Sequence, residues 1–344
     1  MDTTLIIGIL IVILALAFAF SNGFNDSANI VATVIGTRAL TPMQAIIMAG
    51  IFEFVGAYFF GTAVAQTLGK GIINPNIIMG DKYGIVIIFA TVLSAAGWNT
   101  ICTILGFPIS ASHALIGGFV GAGMVAGGMD IVQWKNVLII IIVLILSPVM
   151  GFVGSFVVTK ITYFLARNAK PGINKLFRPL QIFSSMGFAL SYGTNDAPKT
   201  MGIIVFSLIV LNLYKPLGNS FVIPLWVTIA SSLSVSLGVI FGGKSVIKTI
   251  GMNIFRIRQI HGFCTQLSGA IVIYFASIFG MPVSSTHIIS GGVMGTGAAE
   301  RVKAVRWEQA ANIFTVWLIT IPSTVIVSAI IYFLLINGIK FLGW

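Results

Sequence analysis

Charge is what this sequence has least of. Of its 344 residues only 8% are charged, against 57% hydrophobic, and just eight are acidic. A soluble globular domain carries about a quarter charged residues, so that class is excluded and a polytopic membrane protein remains. Cysteine is nearly absent as well. Cys102 and Cys264 both lie in apolar segments, with neither a disulfide framework nor metal-ligand spacing. The alternating pattern of a membrane barrel is missing, which leaves helices to satisfy the backbone in lipid. No basic region precedes the first apolar run, which leads straight into a polar motif; it reads as a first membrane helix rather than a signal peptide. With no large soluble domain and no nucleotide-binding loop, an enzyme or scaffold role has no support.

What is present is apolar length. The runs Leu5–Phe20, Ile85–Leu105, Val137–Val158 and Thr315–Ile336 each approach or exceed the roughly 20 residues that span a bilayer as helix. The net charge of +11 invites a nucleic-acid partner, but loop bias explains it. With five crossings per half and both termini outside, loops 36–42, 160–180, 243–260 and 299–307 face the cytoplasm. They hold Arg38; Lys160, Arg167, Lys170, Lys175 and Arg178; Lys244, Lys248, Arg256 and Arg258; and Arg301, Lys303 and Arg306. These are thirteen of the nineteen basic residues, as the positive-inside rule expects. The charge sets topology in a lipid bilayer and points to no nucleic acid.

The chain also repeats itself. SNGFNDSAN (21–29) returns as SYGTNDAPK (191–199), offset by 170, and FPISASHALIGGFVGAG (107–123) returns as MPVSSTHIISGGVMGTG (281–297), offset by 174. TVLSAA (91–96) matches TQLSGA (265–270) at the second offset. An odd number of crossings per half would insert the halves with opposite orientation, the inverted-repeat plan of many secondary transporters. The expected fold is therefore all-α and polytopic, with about ten to twelve membrane helices or helical hairpins and broken helices at the midplane. Residues 1–159 form one repeat, 160–180 a basic cytoplasmic connection containing Pro171, Gly172 and Pro179, and 181–344 the other.

Two pairs of motifs carry the chemistry. Asp26 and Asp196 occupy equivalent places, each preceded by an asparagine, Asn25 or Asn195. An Asp at a helix centre in the bilayer is penalised by roughly 2.5–3.5 kcal/mol on insertion scales, so a symmetric pair marks function. Gly23 and Gly193 permit a break, after which Asn or Asp caps the resuming helix and Pro198 sits in its first turn. The plainer reading is a kinked helix with an internally paired Asp. In the second pair Pro108 and Pro282 interrupt the backbone, and Ser110, Ser112, Ser284, Ser285 and Thr286 supply hydroxyls at a helix start, an anion site. Ordinary capping with glycine-mediated packing is the alternative. His113 and His287 read equally as ligands and as structural hydrogen-bonders.

An anion held at those helix starts would be repelled by Asp26 and Asp196. Cations between them remove the conflict, and hard oxygen ligands suit an alkali cation. Drawing a divalent anion into a negative interior costs about 2.3 kcal/mol per charge per 100 mV, which co-transported cations offset. Lys199 is placed to pair with Asp196 or, with Thr200, to hold the anion. Glu53, in AGIFEFVGAY, and Gln266, whose counterpart is Val92, are candidate cation ligands or helix ties. Glu300, Glu308, Asp81 and Asp130 flank basic loops or helix ends and read as solvated.

GFNDSAN, GTNDAPKT, PISASH and PVSSTH resemble the duplicated signatures of the inorganic phosphate transporter (PiT) family, in order and over nearly the whole chain. Phe24 and Ser27 vary the first motif, while Asn25, Asp26, Ala28 and Asn29 keep it. The resemblance implies import of inorganic phosphate coupled to sodium or protons, through an inverted-repeat fold that dimerises in the cell membrane. Asn25, Asp26, Asn195 and Asp196, with the serines after Pro108 and Pro282, would form the site. Relatives often carry an acidic residue near Gln266, so the amide alters a cation contact. The expected function is a sodium–phosphate symporter with no cofactor beyond the coupling sodium ion. A proton-coupled phosphate or sulfate permease is the nearest rival, and an anion channel a more distant one. Phosphate keeps a P–O–H donor that a carboxylate accepts, which sulfate lacks.

Overall fold

The computed structural model describes residues 3–61, 63–73, 84–215, 222–242 and 257–341. Lys244, Lys248, Arg256 and Asp81 lie outside the described residues. In chain order the helices are α1 (Thr3–Gly36), α2 (Pro42–Phe60), α3 (Ala63–Gly71), α4 (Gly84–Ile104), α5 (Ala111–Gly127) and α6 (Trp134–Leu165). The second half contributes α7 (Asn174–Val210), α8 (Leu225–Phe241), α9 (Gln259–Ile278), α10 (Ser285–Glu300) and α11 (Trp307–Phe341). Six of these, α1, α2, α4, α6, α9 and α11, are long and apolar enough to cross a membrane, and they contain the four apolar runs read from the sequence except Leu105, one residue past α4. α7 is longer, at 37 residues, but its polar motif and basic start dilute it.

The expected breaks at the Asn-Asp motifs do not occur. α1 and α7 run without interruption through Gly23–Asn29 and Gly193–Lys199. Both glycines serve helix crossing instead. A methyl group at Gly23 would lie 2.0 Å from the Val235 carbonyl oxygen on α8, and one at Gly193 would lie 2.0 Å from the Glu53 carbonyl oxygen on α2. The partner helices answer in kind: a methyl at Gly238 would meet Phe20 O at 2.2 Å, and one at Gly56 would meet Leu190 O at 1.9 Å. The halves therefore interlace, with α1 laid against α8 and α7 against α2. Pro198 sits inside α7, where its ring withdraws one rung of the ladder without ending the helix.

The breaks fall at the serine motifs. α4 ends in a turn with Gly106 at φ +77°, and α9 ends with Gly280 at φ +66°, a region that only glycine enters cheaply. In each, the glycine amide bonds back three residues and the next amide five: Gly106 to Thr103 and Phe107 to Cys102, then Gly280 to Ser277 and Met281 to Ala276. That pattern closes a helix on its own carbonyls. The chain then turns through Pro108 or Pro282 and re-enters as α5 or α10, so α4–α5 and α9–α10 are two hairpins. Arg258 and Glu300, an ion pair, join the two ends of the second hairpin's base. Tyr163 O–H and His261 Nε2 are 2.7 Å apart, and Arg178 Nε donates to Ala39 O, which puts the second base at the end where α1 finishes. Parts of all four basic loops thus meet at one end of the molecule. Leu138, Ile142, Ile145 and Val153 of α6, with Leu318, Ile326, Ile330 and Phe333 of α11, stay exposed as an apolar belt.

Candidate functional site

The two hairpins meet tip to tip inside the molecule. Ser112 Oγ donates to Val283 O at 3.5 Å, and the His113 and His287 rings are 4.7 Å apart. Trp317 of α11 seals this junction, stacking on His287 at 3.7 Å and donating through its indole N–H to Pro108 O at 3.0 Å. Ser110 and Ser284 cap the re-entering helices by accepting the amides of His113 and His287. These two serines thus perform the ordinary capping that was the alternative to anion contact, and their O–H protons stay available to donate. His113 stands beside His287 rather than alone. His113 Nδ1 and His287 Nε2 are buried with no hydrogen-bond partner.

Each long polar helix brings its Asn-Asp pair to these tips. Asn25 Nδ2 donates to Thr103 Oγ1 at 2.6 Å, and Asn195 Nδ2 to Ser277 Oγ at 3.3 Å. Thr103 and Ser277 sit at matching positions just before the two turns, so each asparagine ties its long helix to the hairpin of its own half. The carboxylates behave differently, for both reach the second serine motif. Asp26 Oδ1 accepts from Thr286 Oγ1 at 3.0 Å and from Asn29 Nδ2 at 2.7 Å. Asp196 accepts from Ser285 Oγ, 3.3 Å from either carboxylate oxygen, and forms an ion pair with Lys199. Of the two partners left open for Lys199, the structure provides the carboxylate.

Buried oxygens without hydrogen-bond partners gather around these pairs. They are Oδ1 of Asn25, Asn29 and Asn195, Oε1 of Gln266 and both carboxylate oxygens of Glu53. A buried acceptor without a donor costs about 1–3 kcal/mol, and several in one region call for a ligand that supplies positive charge. Glu53 is fully buried on α2 at the crossing with Gly193, within electrostatic reach of Asp26 and Asp196. The carboxylates are distributed rather than clustered: among the described residues no three His, Cys, Asp or Glu stand together as a metal site. Gln266 donates its amide to Ile30 O at 3.2 Å and Ser185 Oγ at 3.1 Å, so it ties α9 to α1 and α7 and leaves only its oxygen free. Thr200 Oγ1 is buried and unpartnered. Glu300, expected to be solvated, is partly covered by its pairing with Arg258 and lies 3.4 Å from His261.

The chain matches the model of the phosphate transporter family over residues 22–328. It belongs to that family. A Bacillus subtilis relative named "Probable low-affinity inorganic phosphate transporter" is 42% identical over 97% of this chain and 99% of its own. A Rhizobium meliloti relative of the same name is 40% identical over 97% and 98%. A solved structure titled "The sodium-dependent phosphate transporter" aligns with a TM-score of 0.86 at 28% identity, covering 96% of this chain and 98% of that one. The chain is thus a multi-pass membrane transporter of this family, not an enzyme.

Some polar residues that the fold brings to these pairs escape a reading of motifs. Tyr192 is fully buried, within electrostatic reach of Asp26, Asp196 and Glu53, with its hydroxyl against the Thr286 side chain. Tyr192 lies within SYGTNDAPK, where the neighbouring Asn and Asp draw the attention, although its place in the repeat opposite Asn22 marks a polar position in the other half. Thr103 and Ser277 are missed because hydroxyls in membrane helices commonly bond their own backbone.

Proposed function

We propose that this chain imports inorganic phosphate by sodium symport across the cell membrane, with alternating access around the junction of the two hairpin tips. The observation that carries the reading is the set of unpartnered oxygens on Glu53, Asn25, Asn29, Asn195 and Gln266 beside Asp26 and Asp196. Hard oxygen donors without thiolate or imidazole suit an alkali cation. The anion would sit against the N-termini of α5 and α10, where aligned peptide dipoles and free amides favour negative charge. Ser110, Ser284 and Thr200 would add hydroxyl donors there, Ser112, Ser285 and Thr286 would do so by turning from Val283, Asp196 and Asp26, and His113 would border the site. The names of the relatives and of the solved structure support both phosphate and sodium. We read residues 1–159 and 181–344 as inverted repeats, with the basic end cytoplasmic, both termini outside and the protein a homodimer.

Uptake of radiolabelled phosphate into proteoliposomes tests this. Uptake should follow an inward sodium gradient and be lost in Asp26→Asn and Asp196→Asn. Uptake driven by a pH gradient and indifferent to sodium would overturn the coupling. Stronger competition by sulfate than by unlabelled phosphate would overturn the substrate.

A further inference from the structure

The two halves treat their carboxylates with the same geometry and different charge. Three residues after each Asp, a side chain turns back to donate to its Oδ1: Asn29 to Asp26 at 2.7 Å, and Lys199 to Asp196. Asn29 and Lys199 are repeat counterparts, as are the two aspartates. Lys199 is only 2% exposed, and among the described residues no other lysine or arginine is buried. Ser285 shares its single hydroxyl proton between the two oxygens of the same carboxylate, so Asp196 has its charge answered and both oxygens contacted from within the chain. Asp26 receives two neutral donors directly, and the Lys199 ammonium, paired to Asp196, reaches it only through space.

We propose that the Lys199 ammonium stands in place of a transported cation at Asp196, which makes Lys199 a determinant of how many cations travel with each phosphate. The inference rests on the symport reading above and refines it: the exchangeable cations belong to Asp26 and Glu53, and the second carboxylate carries a tethered one. For sodium to bind Asp196, it must displace an ammonium tethered three positions along the same helix. The displaced ammonium would be left buried and unpaired, a strongly unfavourable state. Restoring the asparagine of the first half should therefore create a vacancy for an exchangeable ion.

The test compares wild type, Lys199→Asn and Lys199→Arg as the full-length protein. Equilibrium binding of radioactive sodium to the purified protein counts sites without requiring transport. Steady-state phosphate accumulation in liposomes, at a clamped voltage and varied sodium gradient, gives the ions moved per phosphate. Lys199→Asn should bind about one more sodium per protomer than wild type, because a fixed counter-charge has been removed from a buried carboxylate. Lys199→Arg should keep the wild-type count. If Lys199→Asn still transports, its accumulation should steepen by a further power of the sodium gradient. An unchanged sodium count in Lys199→Asn overturns the inference, whether transport survives or not. An unchanged count with a raised KM for phosphate would assign Lys199 to the anion instead. Wild-type uptake indifferent to sodium would sink the symport reading, while the binding count would still decide the role of Lys199.

Discussion

At the scale of single residues, the site depends on hydroxyls that reach across the chain. Thr286 donates to Asp26 from 260 positions away and accepts from Asn29. A hydrogen bond to a charged group contributes about 1.5–3 kcal/mol, so Thr286→Val should raise the sodium concentration for half-maximal uptake about tenfold or more. Thr286→Ser, which keeps the hydroxyl, should stay near wild type. Tyr192 separates folding from function in another way. Its hydroxyl meets only the Thr286 side chain, so Tyr192→Phe should cost no more than one neutral hydrogen bond, about 0.5–1.5 kcal/mol, in the melting curve. If the phenol serves the transported ions, phosphate uptake should still fall. Thermal unfolding and uptake, measured on one preparation, check both halves of that expectation.

At the scale of helices, glycine takes on two jobs that composition alone does not separate. Gly193 faces backbone at the crossing with α2, whereas Gly187, two turns earlier on the same helix, has nothing within 4 Å of an added methyl. Gly193→Ala should therefore destabilise by roughly 1–3 kcal/mol, since a carbonyl cannot swing aside as a side chain does. Gly187→Ala should be neutral or stabilise by up to about 1 kcal/mol through helix propensity. The hairpin turns use glycine for its backbone freedom. At Gly280, φ +66° means that an alanine costs about 1–2 kcal/mol and shifts Ser284 and Ser285 at the tip. Melting curves in detergent distinguish the three substitutions.

At the scale of the whole molecule, the basic loops converge through the Arg178–Ala39, Tyr163–His261 and Arg258–Glu300 contacts. If that end is cytoplasmic, a cysteine placed at exposed Arg167 should be labelled by an impermeant maleimide in inside-out vesicles and spared in intact cells. The native thiols, Cys102 and Cys264, are free and buried, so background labelling should be low. Labelling in intact cells would reverse the topology.

Much of this was legible in the sequence because membrane burial is harsh on polar groups. Scarce charge and long apolar runs determined an all-helical membrane protein. The duplicated Asn-Asp and Pro-x-Ser motifs stood out because nothing polar persists in such surroundings without a partner or a purpose. The tertiary structure alone decided how those motifs are used. It kept α1 and α7 continuous, because Gly23 and Gly193 were needed where backbones touch, and it confined the breaks to the serine turns read from Pro108 and Pro282, where Gly106 and Gly280 close the preceding helices. It also drew both carboxylates to the second serine motif, set Tyr192 and Glu53 among them, and gave Lys199 to Asp196. Periodicity reports which residues must be hidden from lipid or water, but the choice of partner depends on how the helices cross in space.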